Sequence, residues 1–219
     1  MEMVLLSDPD VTGIPVAECG EPLVDLRDVA GFRIDPRLAD AEGAFAHLRA
    51  GVVERLVTAQ ALLPAGLRFL VVEGYRPLAL QEHYFQAHVG RLRERTPEAA
   101  ESTLRRQASR YISPPEVAPH VAGAAVDLTL CGPDGEEIWM GTEVNDTDTT
   151  ACHSDSTEID ERARGNRDRL AHVLREVGLV NYPSEWWHWS YGDRYWAYRT
   201  GSGQAGYGPV DAVPTRPAH

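Results

Sequence analysis

The sequence predicts a single α+β domain with a central antiparallel sheet flanked by helices, and three observations carry that expectation. The chain has 219 residues, 43% of them hydrophobic and 25% charged, the size and balance of one ordinary domain with its own core. Apolar residues recur at helical spacing in long segments, and short runs rich in strand formers lie between them. One pair of those runs is joined by Gly132-Pro133-Asp134-Gly135, a turn that brings the chain back antiparallel to itself.

Residues 1–34 read as an irregular lead-in broken by Pro and Gly, with Val24-Asp25-Leu26 as a short strand. Asp35-Pro36 reads as a helix start, with the aspartate at the N-cap and the proline at the first helical position. Leu38, Ala41, Phe45, Leu48, Val52, Leu56, Ala59 and Leu63 keep the helical period until Pro64 and Gly66 end it. Phe69-Leu70-Val71-Val72 is a short, apolar, buried strand. Glu73-Gly74-Tyr75-Arg76-Pro77 is a turn, and a helix follows from about Leu78 through Gly90. It carries His83 and His88 on different faces, both solvated. From Arg91 to Arg110 the signs are mixed, as on a salt-bridged exposed helix.

Pro114, Pro115 and Pro119 disfavour regular structure just before His120. Val126 to Leu130 reads as a strand and Ile138-Trp139-Met140 as its return. Gly141 to Ser156 is a polar loop, and a helix over about 158–177 is stopped by Gly178. Trp186 to Ser190 and Tyr195 to Tyr198 read as two strands around Gly192-Asp193. The body of the domain is thus placed at 35–200, with 201–219 as a C-terminal tail.

The balance of 21 Lys plus Arg against 33 Asp plus Glu gives a net charge of -12. A chain so acidic repels nucleic acid and anionic membranes, and neither is expected as a partner. Met1 to Gly20 lacks the basic start and apolar run of an export signal. No stretch reaches the roughly 18 apolar residues that a span needs. Cys19, Cys131 and Cys152 are odd in number and far apart, which fits reduced thiols in a cytoplasmic protein rather than a disulfide framework.

Two clusters point to chemistry. In His120-Val-Ala-Gly-Ala-Ala-Val-Asp127 the aspartate stands seven residues after the histidine, inside an apolar strand. A carboxylate there is costly to bury alone, so an arginine, a histidine or a metal ion must face it. In Ser184-Glu185-Trp186-Trp187-His188-Trp189 the glutamate and histidine are three apart. On a regular strand they would face opposite ways, so they converge only if Glu185 precedes the strand. The plain alternative is an aromatic core strand with a histidine at its edge. The tryptophans would form a dry wall that lifts the pKa of a nearby carboxylate, and Trp187 in that wall is taken as a substrate-facing residue.

Together, His120, Asp127 and His188 fit a catalytic zinc site with three protein ligands and one open position, although the same donors also suit Fe, Mn or Co. Zinc makes water acidic near pH 7, and Glu185 would carry the proton to the leaving amine. Arg76, always charged, could steady the oxyanion or simply pair with a surface acid. Cys152-His153 are adjacent, which rarely lets two side chains reach one point.

From Phe69 to Tyr198 the chain resembles the D-alanyl-D-alanine dipeptidases, zinc peptidases of the D,D-/L,D-carboxypeptidase group. The resemblance rests on Glu73-Gly-Tyr-Arg-Pro77, His120 to Leu130, Met140-Gly-Thr142, Asn166-Arg167 and Glu185-Trp-Trp-His188. It implies His120, Asp127 and His188 as zinc ligands, Glu185 as base, Arg76 as transition-state stabiliser, and a short cell-wall dipeptide as substrate. Two positions depart from the family. Ala118 replaces a serine two residues before the first histidine, and Asn145 replaces an aspartate near the substrate's ammonium group. The resemblance thus predicts a zinc dipeptidase acting on a D-Ala-D-Ala-like dipeptide, with altered amino-end specificity. The competing readings are an endopeptidase or carboxypeptidase acting on a longer peptide, and a non-catalytic peptide-binding relative.

Overall fold

The structure is a computed structural model that describes residues 3–211. Its elements in chain order are α1 (Pro9–Thr12), β1 (Leu23–Asp25), β2 (Arg33–Ile34), β3 (His47–Arg49), α2 (Ala50–Leu62), β4 (Arg68–Glu73), α3 (Leu78–Arg95), α4 (Glu101–Ala108), β5 (Ala125–Cys131), α5 (Glu161–Glu176), β6 (Val180–Asn181), β7 (His188–Ser190) and α6 (Arg194–Thr200). Five strands form the main sheet in the order β2-β4-β5-β7-β6, and β1 pairs with β3 in a small second sheet. All pairings in the main sheet are antiparallel except β2 with β4, which is parallel. Helices pack against the sheet, and the α+β expectation holds. No described helix is long and apolar enough to cross a membrane.

The core lies where α2 and α5 cover the sheet. Leu48, Val52, Leu56 and Ala59 meet Phe69, Val71, Leu128 and Leu130, with Leu170, Val173 and Leu174 from α5. All seven residues of β5 are buried, so this central strand is covered on both faces, with Asp127 and Thr129 as its buried polar positions. A satellite cluster of Phe85, Val89, Leu104 and Ala108 locks α3 to α4.

Four expectations are corrected. The helix expected from Asp35 is a three-residue 3-10 turn, Pro36–Leu38, capped by Asp35 as anticipated. The chain then forms a second 3-10 turn and β3 before α2 begins at Ala50. Ile138-Trp139-Met140 is not a strand; the return after the turn is an isolated bridge between Cys131 and Glu137. Tyr195 to Tyr198 lies in helix α6, because Asp193 accepts hydrogen bonds from the Tyr195 and Trp196 amides and Gly201 closes the helix at φ 71. Those end signals outweigh the strand preference of the aromatics. The Arg-rich stretch is divided between the end of α3 and α4; Arg93–Glu101 and Arg105–Glu116 are paired, but Leu104 and Ala108 are buried.

Beyond Gly201, Ala205 bridges to Val16 and Tyr207 enters the core, donating its hydroxyl to Glu21 Oε2 at 2.7 Å. Residues 212–219 of the expected tail lie outside the described residues.

Candidate active site

Three adjacent strands set the site. Glu73 on β4 is level with Asp127 on β5, and Asp127 is level with His188 on β7. A register shift between Val71 and Glu73 bends the end of β4 here, and bulges of this kind re-aim side chains next to a site. His120 comes from the 3-10 turn Pro119–Ala122, which Gly123 ends at φ 63. That left-handed residue turns the chain directly into β5, and so the seven-residue spacing from His120 to Asp127 closes on one point.

The three side chains converge. His188 Nδ1 stands 3.0 Å from Asp127 Oδ1, His120 Nε2 stands 3.4 Å from the same oxygen, and the two ring nitrogens are 3.2 Å apart. All three residues are buried. Donor atoms on a tetrahedral ion with bonds of about 2.0–2.1 Å are about 3.3 Å apart, so this trio fits a divalent metal in both chemistry and spacing. His120 is held from behind, with Nδ1 2.6 Å from the Gly74 carbonyl. A proton on Nδ1 then leaves the Nε2 lone pair for the site, which is how ligand histidines are oriented. Gly74 itself admits no side chain, since a Cβ would lie 2.4 Å from the His47 carbonyl oxygen.

Burial by itself would raise the pKa of Asp127, but the charges and hydrogen bonds of His120 and His188 outweigh it and hold the carboxyl well below the usual range. Burial would lower the His120 pKa, and the Asp127 charge reverses that, lifting it.

Glu185 precedes β7 in a turn. Its amide donates to the Tyr182 carbonyl and its carbonyl accepts from the His188 amide. Asn181 Nδ2 donates to the Glu185 and His188 carbonyls, each at 2.9 Å. Glu185 Oε2 therefore stands 4.0 Å from His188 Nδ1, on the same side. Burial, reinforced by the Asp127 charge, raises the Glu185 pKa well above an ordinary glutamate, which favours a base.

Arg76 is fixed by a fork. Its Nε donates to Glu73 Oε1 at 2.7 Å, a second nitrogen bonds the other Glu73 oxygen, and Nη1 donates to Gln81 Oε1 at 2.6 Å. The pairing is with buried Glu73, not with a surface acid.

These groups line a cavity of about 400 Å³ that also includes Ala118, Asn145, Thr147, Asp148 and Tyr182. Asn145 is at φ 68, the sole described non-glycine residue in the left-handed region, where Asn is tolerated. Trp187 is corrected: it is fully buried in the core and is not a cavity wall. His88 is also corrected, since it is half-buried and lines the cavity. Cys152 is buried with its thiol pKa pushed up by burial to about 11, so no reactive pair with His153 forms. The sequence reading missed Gln81 and Tyr182, and it named Glu73 as part of a motif without giving it a role beside Arg76. A signal existed for Glu73, which ends an apolar strand just as Asp127 interrupts one.

Residues 34–202 match the family model described as D-ala-D-ala dipeptidase. A D-alanyl-D-alanine dipeptidase of Synechocystis sp. is 31% identical over 220 residues, covering 85% of this chain and 88% of that protein. A D-alanyl-D-alanine dipeptidase of Enterococcus faecium is 30% identical over 143 residues, covering 63% of this chain and 69% of that protein. Among solved structures, the LdcB LD-carboxypeptidase aligns with TM-score 0.47 and 16% identity over 86% of this chain and 76% of that one, a likeness too loose to carry an argument. With the family model spanning most of the sequence and a relative 31% identical along 85% of it, the chain belongs to the D-Ala-D-Ala dipeptidase family of peptidases.

Proposed function

We propose that this protein is a zinc-dependent dipeptidase that hydrolyses a D-Ala-D-Ala-like dipeptide, with its preference at the amino end set by Asn145 and Ala118. The observation that carries the reading is the convergence of His120 Nε2, His188 Nδ1 and Asp127 Oδ1 within 3.0–3.4 Å of one another, with the Glu185 carboxylate 4.0 Å from His188. His120, Asp127 and His188 would hold the ion. A bound zinc supplies Lewis acidity, polarising a carbonyl and making water acidic near neutral pH.

The chain's own residues do the rest. Glu185 accepts a proton from the attacking water and returns it to the nitrogen of the broken amide. The Asn181 amide group fixes the turn that holds Glu185 in reach. Arg76 donates to the oxygen on which negative charge develops, and the Glu73 fork and Gln81 keep it aimed there without reorganisation. Asn145 presents an amide where a carboxylate would grip an ammonium group, so the free amino end is held more weakly.

Relative rates on D,D-, L,D- and N-acylated dipeptides test the reading. Cleavage of D-Ala-D-Ala supports the dipeptidase reading, and a clear preference for it over the rest of the panel would sink the altered amino-end preference. Failure of the zinc-loaded protein to cleave any of these dipeptides would overturn the dipeptidase reading.

A further inference from the structure

Helix α3 turns one face to the cavity: Tyr84, His88, Arg91, Leu92 and Arg95 all line it. These positions recur at intervals of three and four, one stripe of an α-helix. The other side of the helix is spent on packing, where Phe85 and Val89 meet Leu104 and Ala108 of α4. The cavity stripe begins beside the catalytic centre, because the Arg76 guanidinium lies over the Tyr84 ring at 5.2 Å. It then runs outward and becomes cationic. From Tyr84 to Arg95 the helix climbs about 16 Å, whereas a dipeptide spans about 7 Å fully extended.

The charges on this stripe are unmatched. Arg91 donates to His88 Nδ1 at 3.1 Å, and among the described residues neither Arg91 nor Arg95 has an ion-pair partner. Arg93, off the stripe, is paired with Glu101. In a protein with 33 acidic residues and a net charge of -12, two exposed arginines four residues apart that line the cavity without an ion-pair partner stand out from the surrounding field. Burial first, then the charges of Arg91 and Arg95, lower the pKa of His88. Arginine's planar fork matches a carboxylate bidentately.

We propose that Arg91 and Arg95, with His88 between them and the reacting centre, form a specificity subsite for a substrate carboxylate lying beyond the scissile dipeptide unit. This rests on the dipeptidase reading above and names the substrate class: peptides carrying an extra anion. The carboxylate has two sources, an acidic side chain or the end of a longer peptide. D-Ala-D-Glu against D-Ala-D-Gln probes the first, and tri-D-alanine against its C-terminal amide probes the second.

The test compares kcat/KM within each pair for the zinc-loaded protein. It also compares calorimetric affinity of the same peptides for Glu185→Gln, which leaves them uncleaved. The expected result is a preference of about tenfold for the anionic member of at least one pair, weakened by added salt because the guanidiniums are exposed. That preference should vanish in R91Q/R95Q, survive in R91K/R95K at reduced size, and persist in the off-stripe control R93Q. Equal treatment of anionic and neutral members by the parent protein, or a preference that R91Q/R95Q leaves intact, overturns the proposal. The calorimetric arm separates the two claims, since absent cleavage with retained anion preference counts against the dipeptidase reading alone.

Discussion

The Glu185 carboxylate stands 4.0 Å from the His188 imidazole, and the two share one side of the chain because residues 182–188 turn before β7 begins. That turn separates the proposed base from a proposed metal ligand by three residues while aiming both into one cavity. Glu185→Ala should therefore lower kcat by about a hundredfold to ten-thousandfold and leave metal content unchanged. Steady-state kinetics alongside elemental analysis checks it; loss of metal together with activity would reassign Glu185 to the ligand set.

Arg76 and Glu73 act as a unit. Arg76→Lys keeps a charge but loses the fork, so kcat should fall by about a hundredfold to a thousandfold with little change in KM. Glu73→Gln leaves a buried guanidinium without its counter-charge, at a cost of about 3–5 kcal/mol in urea unfolding. A Glu73→Gln protein as stable as the parent would show that the fork is dispensable.

Asn145 is the position where a single charge should change preference. Its left-handed backbone accepts aspartate as readily as asparagine. Asn145 is exposed at the cavity wall, so screening holds the gain to about 1 kcal/mol, roughly fivefold. Asn145→Asp should raise the ratio of D-Ala-D-Ala cleavage to N-acetyl-D-Ala-D-Ala cleavage by that factor. An unchanged ratio would remove Asn145 from amino-end recognition.

Asp193 gives a pH-dependent stability. Burial raises its pKa in the folded state despite hydrogen bonds from Ser190 and the amides of Tyr195 and Trp196. The folded chain thus holds this proton to higher pH than the unfolded chain. The group favours folding most below about pH 4, and the benefit is lost as pH rises through the folded pKa. Asp193→Asn keeps a capping oxygen and has nothing to titrate. Its stability relative to the parent should increase between pH 4 and pH 7 in urea unfolding, and a constant or falling difference would contradict the assignment.

The residues that meet at the site were largely legible in sequence, because each broke a local pattern. Asp127 interrupted an apolar strand, His120 followed a run of prolines, and Glu185 and His188 sat among tryptophans. What the sequence withheld was relative placement. The register shift beside Glu73 and the turn before His188 depend on pairings between segments more than fifty residues apart. Trp187 and Glu185 are close in sequence, yet one fills the core and the other faces the cavity, a difference decided by that turn. Period and propensity misled where end signals were stronger: Asp193 and Gly201 made a helix of an aromatic run, and the apolar period from Leu38 to Leu48 spanned two 3-10 turns and a strand rather than one helix.

The most direct test is the metal content of the purified protein measured together with D-Ala-D-Ala hydrolysis, before and after a chelator. The account predicts near one zinc per chain, cleavage abolished by the chelator, and cleavage restored by zinc. A protein that holds no metal even after zinc is added back would contradict the assignment of His120, Asp127 and His188, and with it the mechanism.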